Sequence, residues 1–369
     1  MSVQVSYKKQ FALGFLLIII LIGVIEISVR VYEATLPECI WINSDVFENN
    51  QTSKKICQDL KKIQYQYLGS YLLLEPKQDD LTFTTSSHGF RGPEFEIEKE
   101  SGTYRIFIVG GSAVMGLGAS SDEATIAGFL QKSYNKSDLN GKIEVINAGV
   151  SGAVVFEEAD MIKEYLLQFE PDLIIGYDGG NDARTRRFDE LPYFKNNQLF
   201  GIFKMSDLTI YRTPFVLNDF LNDFLSRSYH QTADDNSEIN VIVAENWKNK
   251  WLDICKLGNE NGFSTIVTVQ PTLVTSSKHL SNYESKHVKD TSWENTTKNI
   301  LETMGDFLPE MNKSCTQTAD LTNIFDSYSE PLYFDDIHVT DKGNKIVAER
   351  LFEISYPILK NKIKHGINE

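Results

Sequence analysis

Short apolar runs alternate along this chain with longer stretches in which apolar residues recur every three or four positions. The runs are Ile106–Val109, Ile143–Ile146, Leu173–Tyr177 and Ser264–Gln270. Each is followed by glycine, proline, asparagine or aspartate, which predicts buried strands of a parallel sheet. A fifth strand is predicted near Leu321–Phe325. Helical spacing is shown by Ile126, Phe129, Leu130 and Tyr134, then by Ala159, Ile162, Tyr165, Leu166 and Phe169. It returns at Ile242, Trp247, Trp251, Ile254 and Cys255, around Trp293 to Met311, and at Ile346, Val347, Leu351 and Ile354. Ser120 with Glu123 predicts a capping box ahead of the first of these helices, and Thr340 or Asp341 caps the last. The alternation predicts an α/β fold: a parallel sheet with right-handed crossovers and helices on both faces.

The two ends of the chain read differently. Phe11–Ile25 carries no charge, and apolar residues continue through Ile27, Val29 and Val31. The apolar positions go all the way round a helix, which argues against a core helix. No small-x-small cleavage pattern follows, which argues against a signal peptide. The reading is an uncleaved single-pass anchor over residues 1–32, with Lys8 and Lys9 holding the N-terminus inside and the bulk of the chain outside the cytoplasm. Residues 33–102 have mixed polarity and are read as an extension packing on the main domain. Tyr65–Leu74 is a helix or a strand, and Ser86–Pro93 is punctuated by turn formers. The main domain is assigned to 103–365, with an insertion at about 184–237 that lacks a period and would form a lid or a substrate wall.

Composition narrows the function. A net charge of −15 argues against a nucleic-acid surface, and the cluster Arg184, Arg186 and Arg187 is too small to reverse that. Cys39, Cys57, Cys255 and Cys315 show no Cys-x-x-Cys spacing, so a zinc site is not expected. In an oxidising exterior, Cys39 is expected to pair with Cys57, and Cys255 with Cys315. Four Asn-x-Ser/Thr sequons, at Asn50, Asn135, Asn295 and Asn312, are compatible with that exterior.

Candidate chemistry gathers at the strand ends. Gly110-Gly111-Ser112, Asn147-Ala148-Gly149 and Gly179-Gly180-Asn181-Asp182 each follow a predicted strand, and Asp335-Asp336-Ile337-His338 lies in a loop near the C-terminus. Ligands of open α/β sheets bind beyond the carboxyl ends of the strands. Ester hydrolysis by serine needs a neutral imidazole to take the hydroxyl proton, a carboxylate to hold that imidazole, and prepaid donors for an oxyanion. Asp335 and Asp336 compete for the carboxylate place, and the three-residue spacing to His338 favours Asp335. The nucleophile elbow Gly-x-Ser-x-Gly fails at Val114, and a nucleotide-binding loop fails at Leu117. Arg91 reads as a structural ion pair rather than an anion site. His88, His230, His279, His287 and His365 read as ordinary surface or structural histidines.

Those four blocks, in that order across roughly 103–365, resemble the SGNH branch of the GDSL esterase/lipase family. The resemblance implies a flavodoxin-like three-layer α/β/α fold. It implies Ser112 as nucleophile, His338 as base and Asp335 as its partner. It also implies an oxyanion hole built from the Ser112 N–H, the Gly149 N–H and the Asn181 side chain. Gly111 departs from the aspartate that commonly precedes the serine. Residues 87–93 are similar to those of membrane-anchored members with an N-terminal extension. No cofactor or metal is implied. The expected function is an esterase or deacylase acting on an O-acylated small molecule, glycan or lipid. The alternatives are an O-acyltransferase, which excludes water from the same acyl-enzyme, and a non-catalytic binding module on the same fold.

Overall fold

The computed structural model describes residues 6–35, 46–47, 50–185, 237–288 and 292–366. Most of the expected insertion, Arg186 and Arg187, Cys39 and His230 lie outside them. The chain divides into two units, Met1–Glu38 with Phe194–Thr232, and Cys39–Tyr193 with Ala233–Glu369.

In the first unit the described element is helix α1, Tyr7–Thr35. The most apolar 18-residue window within Tyr7–Tyr32 has a mean hydropathy of 2.8, with large apolar side chains exposed along the helix. At 1.5 Å per residue α1 is about 44 Å long, enough to cross a bilayer core of about 30 Å. A signal sequence has the same character.

The second unit opens with α2 (Asn50–Leu60) and an antiparallel hairpin of β1 (Tyr65–Leu68) and β2 (Tyr71–Leu74). The stretch left open as helix or strand is therefore two strands, turned at Gly69, whose φ is 71°. The sheet follows: β3 (Thr103–Gly110), one-turn helix α3 (Ser112–Met115), α4 (Ile126–Asn135), β4 (Lys142–Gly149), α5 (Val155–Glu164), β5 (Leu173–Asp178) and α6 (Gly180–Thr185). Then come α7 (Ser237–Asn261), β6 (Ser264–Val269), α8 (Ser292–Met311), β7 (Gln317–Asp320) and α9 (Asp341–Gly366). All five strands are parallel, in the order β4-β3-β5-β6-β7.

Side-chain alternation along β3 joins the sheet to its two layers. Ile106 and Ile108 lie in one buried cluster with Ile126, Leu130 and Tyr134 of α4 and Val347 and Leu351 of α9. Phe107 meets the rings of Phe90, Phe95 and Phe169. Phe90 and Phe95 come from the segment before β3, so the extension shares the core. On β5, Gly176 leaves the space that the Trp251 ring of α7 fills. A disulfide joins Cys255 to Cys315, with Cα atoms 4.8 Å apart, as expected from sequence. Cys57 is buried; its expected partner Cys39 lies outside the described residues.

Two local expectations are corrected. The fifth strand is Gln317–Asp320 rather than Leu321–Phe325. Asp320 ends it, because its Oδ1 accepts from the N–H and hydroxyl of Thr322 and starts a turn. Ser120 and Glu123 do not form the capping box. Ser120 is drawn to Asp341, which accepts from its N–H at 2.9 Å and its hydroxyl at 2.5 Å. Thr125 caps α4 instead, its Oγ1 accepting from the Gly128 N–H at 3.0 Å.

Candidate active site

β3 and β4 both end in glycine, which lets the backbone pack closely at their carboxyl ends. Gly110 lies in register with Gly149 on one side and Tyr177 on the other, and a Cβ on Gly110 would overlap the Tyr177 carbonyl. Ser112 begins α3 immediately afterwards. The turn ends at Gly116, whose φ of 88° is left-handed and suits glycine.

Ser112 Oγ lies 2.7 Å from His338 Nε2, and His338 Nδ1 lies 2.7 Å from Asp335 Oδ2. The other oxygen, Asp335 Oδ1, accepts from the N–H groups of Ile337 (2.9 Å) and His338 (2.7 Å). Burial pushes the Asp335 carboxyl up in pKa. The His338 charge, the hydrogen bond to its ring and the two backbone donors outweigh burial and hold it below the ordinary carboxylate range. Asp336 pairs with Arg184 of α6.

The loop bearing Asp335 and His338 is fixed from several directions. The Phe334 ring stacks on the His338 ring at 5.8 Å and 12°, and the Tyr283 hydroxyl donates to the Phe334 carbonyl at 2.7 Å. Glu284 Oε1 accepts from the N–H groups of Leu332 and Tyr333, and its carboxylate pairs with Lys278 at 2.8 Å. Both side chains of that pair are 0% exposed. Sequence reading missed Lys278 and Glu284; as a charged pair six residues apart in a polar loop, they carried no local signal of burial.

The oxyanion donors are less uniform than expected. Asn181 lies at the start of α6, and its Nδ2 donates to the Ala153 carbonyl at 2.7 Å, leaving the second hydrogen of that amide. Gly149 requires correction. Its N–H is committed to Asn147 Oδ1 at 3.0 Å, and a Cβ there would overlap the Met115 backbone. Gly149 thus gives the serine turn room to pack rather than offering a free donor. The residue bonded to Asn181 is instead Ala153, in the turn after β4, which follows Gly152 at φ 77°.

Behind Asn181 lies a buried acidic group. Asp178 Oδ2 accepts both indole N–H groups, from Trp247 at 2.9 Å and Trp251 at 3.1 Å. Asp182 accepts from the Val155 N–H. Burial first, and then the neighbouring Asp178 and Asp182 charges, push the Glu158 carboxyl well above the ordinary range. Asp182 is raised in the same way by burial and Asp178. Among the described residues, no group of three or more His, Cys, Asp or Glu side chains is arranged to hold a metal ion.

The layout is the one the SGNH/GDSL resemblance implies: a five-stranded parallel sheet with the serine block after β3, the glycine block ending β4, the Gly-x-Asn-Asp block after β5 and the Asp-x-x-His loop ahead of the last helix. No protein-family model matches the sequence, and no curated protein matches it significantly. Similar solved structures include the acetyl xylan esterase AlAXEase, at 14% identity over 68% of this chain and 98% of that one, TM-score 0.40. A lipase/acylhydrolase from Enterococcus faecalis matches at 14% identity over 68% and 95%, TM-score 0.41. A protein assigned to the G-D-S-L lipolytic family from Desulfitobacterium hafniense DCB-2 matches at 14% identity over 66% and 95%, TM-score 0.38.

Proposed function

We propose that the chain is a membrane-anchored serine esterase or deacylase that hydrolyses an O-acyl ester outside the cytoplasm. The observation that carries this is the unbroken relay from Ser112 Oγ through His338 to Asp335, with 2.7 Å at each step. His338 Nε2 takes the hydroxyl proton as Ser112 Oγ attacks the acyl carbonyl. Asp335 holds the Nδ1–H tautomer and stabilises the imidazolium. The tetrahedral oxyanion is met by the Ser112 N–H, the free hydrogen of the Asn181 amide and the Gly152 N–H, which takes the place first given to Gly149. The imidazolium returns its proton to the leaving alcohol, and acyl-Ser112 remains. Water then attacks with His338 as base, and the carboxylic acid leaves.

The location reading draws on separate features. Helix α1 is long and apolar enough to anchor the chain, and Lys8 and Lys9 precede its apolar stretch. The Cys255–Cys315 disulfide suits an oxidising compartment. The substrate is an O-acylated small molecule, glycan or lipid.

The test is labelling of the full-length protein, purified in detergent, with a fluorophosphonate probe. Labelling that disappears in Ser112→Ala supports the reading. Wild-type protein that neither labels nor turns over activated esters makes a binding module the better description. Release of free acid rather than transfer to added glycan separates hydrolase from acyltransferase.

A further inference from the structure

We propose that Arg91 is a positioning residue for the acylation step, fixing the exit of the helical turn that carries Ser112. The proposal rests on the reading of Ser112 as nucleophile. Helix α3 spans only Ser112–Met115, so its last carbonyls have no partners within the helix. Side chains from elsewhere hold the last two of them and the carbonyl of the capping Gly116. Asn147 Nδ2 donates to the Val114 carbonyl at 2.8 Å. Arg91 Nη1 donates to the Met115 carbonyl at 3.0 Å and the Gly116 carbonyl at 2.8 Å.

The guanidinium is itself immobilised. Its Nη2 donates to the Thr82 carbonyl at 2.6 Å, its Nε to Asp122 Oδ1 at 2.7 Å, and its plane lies 4.8 Å from the centre of the Phe83 ring. Asp122 is in turn held by the N–H of Thr84 at 3.0 Å and its hydroxyl at 2.6 Å. The Arg91 backbone also bridges to Asn147 at the end of β4, so the two side chains that hold the turn come from paired segments. Arg91 is 4% exposed, which leaves it no route to a substrate anion. A rigid fork of five N–H donors can serve several carbonyls and one carboxylate at once, whereas a lysine ammonium is a point charge that cannot.

A second arginine in this chain separates positioning from mere stability. Arg105 is 1% exposed. It donates to the Ile97, Phe169 and Glu96 carbonyls, pairs with Glu144, and lies 5.1 Å from the Phe95 ring. Its bonding closely parallels that of Arg91. It lies near the start of β3, however, at the opposite end of the strand from Ser112.

The experiment compares full-length wild type, Arg91→Lys, Asp122→Asn and Arg105→Lys, each assayed at a fixed interval below its own Tm. The readouts are the second-order rate of fluorophosphonate labelling, and kcat and KM on p-nitrophenyl acetate. Small displacements of reacting groups cost up to about 10²-fold in rate, so Arg91→Lys should slow labelling and kcat by about that factor with KM within about 2-fold. Asp122→Asn, the milder variant if the lysine form fails to fold, should slow both by about 10-fold on the same argument. Arg105→Lys should lower Tm and leave both rates within about 2-fold, because its network does not reach the reacting groups. Rates for Arg91→Lys and Asp122→Asn that match wild type overturn the role, as does an equal loss in Arg105→Lys. Wild-type protein that does not label overturns the hydrolase reading and this role together. Wild-type labelling with an unimpaired Arg91→Lys overturns this role alone.

Discussion

A Cβ on Gly111 would overlap Nδ2 of Asn181. A side chain at the residue before the serine would therefore compete with the asparagine amide for the same space. Gly111→Ala should push Asn181 aside while leaving Ser112 in place. Losing one oxyanion donor costs about 10²–10³ in kcat, so Asn181→Ala should fall in that range and Gly111→Ala should approach it. The double variant should be little worse than Asn181→Ala alone, since both changes remove one donor. Additive losses measured in kcat would show that Gly111 acts by another route.

Ser112→Ala and His338→Ala should each lower kcat by several orders of magnitude, with KM changing little. The double variant should be about as inactive as either single, because relay members act as a unit. Near-normal turnover of activated esters by Ser112→Ala would remove the acyl-serine mechanism.

The two adjacent carboxylates should separate cleanly. Asp335→Asn removes the acceptor for His338 Nδ1–H, a change of tautomer that costs about 10⁴ where such an aspartate serves a serine and histidine. Asp336→Asn breaks a part-exposed pair with Arg184, and such pairs contribute about 0–1 kcal/mol, so kcat should stay within about 5-fold. The pH response of wild type follows from the lowered Asp335 pKa. Stability from this carboxylate is fully present above the ordinary carboxyl range and is lost as pH falls through its depressed folded value. Asp335 is therefore ionised throughout the neutral range, and an acid limb of turnover near neutrality does not belong to it. Equal kcat in the two asparagine variants would undo the assignment.

The sheet was legible in the sequence because its strands are buried on both faces and therefore read as unbroken apolar runs, as at Ile106–Val109 and Leu173–Tyr177. The edge strand was displaced because Gln317–Asp320 is polar and paired on one side alone, leaving no run to find. Ser112, Asp335 and His338 could be singled out as candidates because a two-glycine strand end and a three-residue spacing are both local, while their roles came from the family resemblance. The Gly149 donor failed for a reason local pattern cannot show: Asn147, two residues away, folds back and takes its N–H. Arg91 was read as an ion pair, which it is, with Asp122. Its bonds to the serine turn join residues 24 and 25 positions apart and leave no trace in spacing.

Alkaline carbonate should leave the full chain in the membrane pellet, and protease added to intact cells should reach the main domain. Thiol alkylation of unreduced protein should leave Cys255 and Cys315 unmodified. A mature N-terminus found near residue 30 would replace the anchor with a signal peptide.

Glu158 should make folding weaken as pH rises. Its unfolded carboxyl titrates near 4.5, while burial beside Asp178 and Asp182 raises the folded value well above that. Between the two values the folded state holds a proton that the unfolded state has released, so stability falls with each step in pH across that window. Asp182 is raised in the same sense and adds to the slope, and the nearby Trp247 and Trp251 supply neutral donors to Asp178 rather than a compensating cation. Glu158→Gln keeps the shape and removes the titration. Its Tm should exceed that of wild type at pH 8, and the two should converge as pH approaches 4.5, where the wild-type carboxyl is protonated in the folded state and increasingly so in the unfolded one. A Tm difference that does not change with pH would show that Glu158 does not gain its proton from this environment.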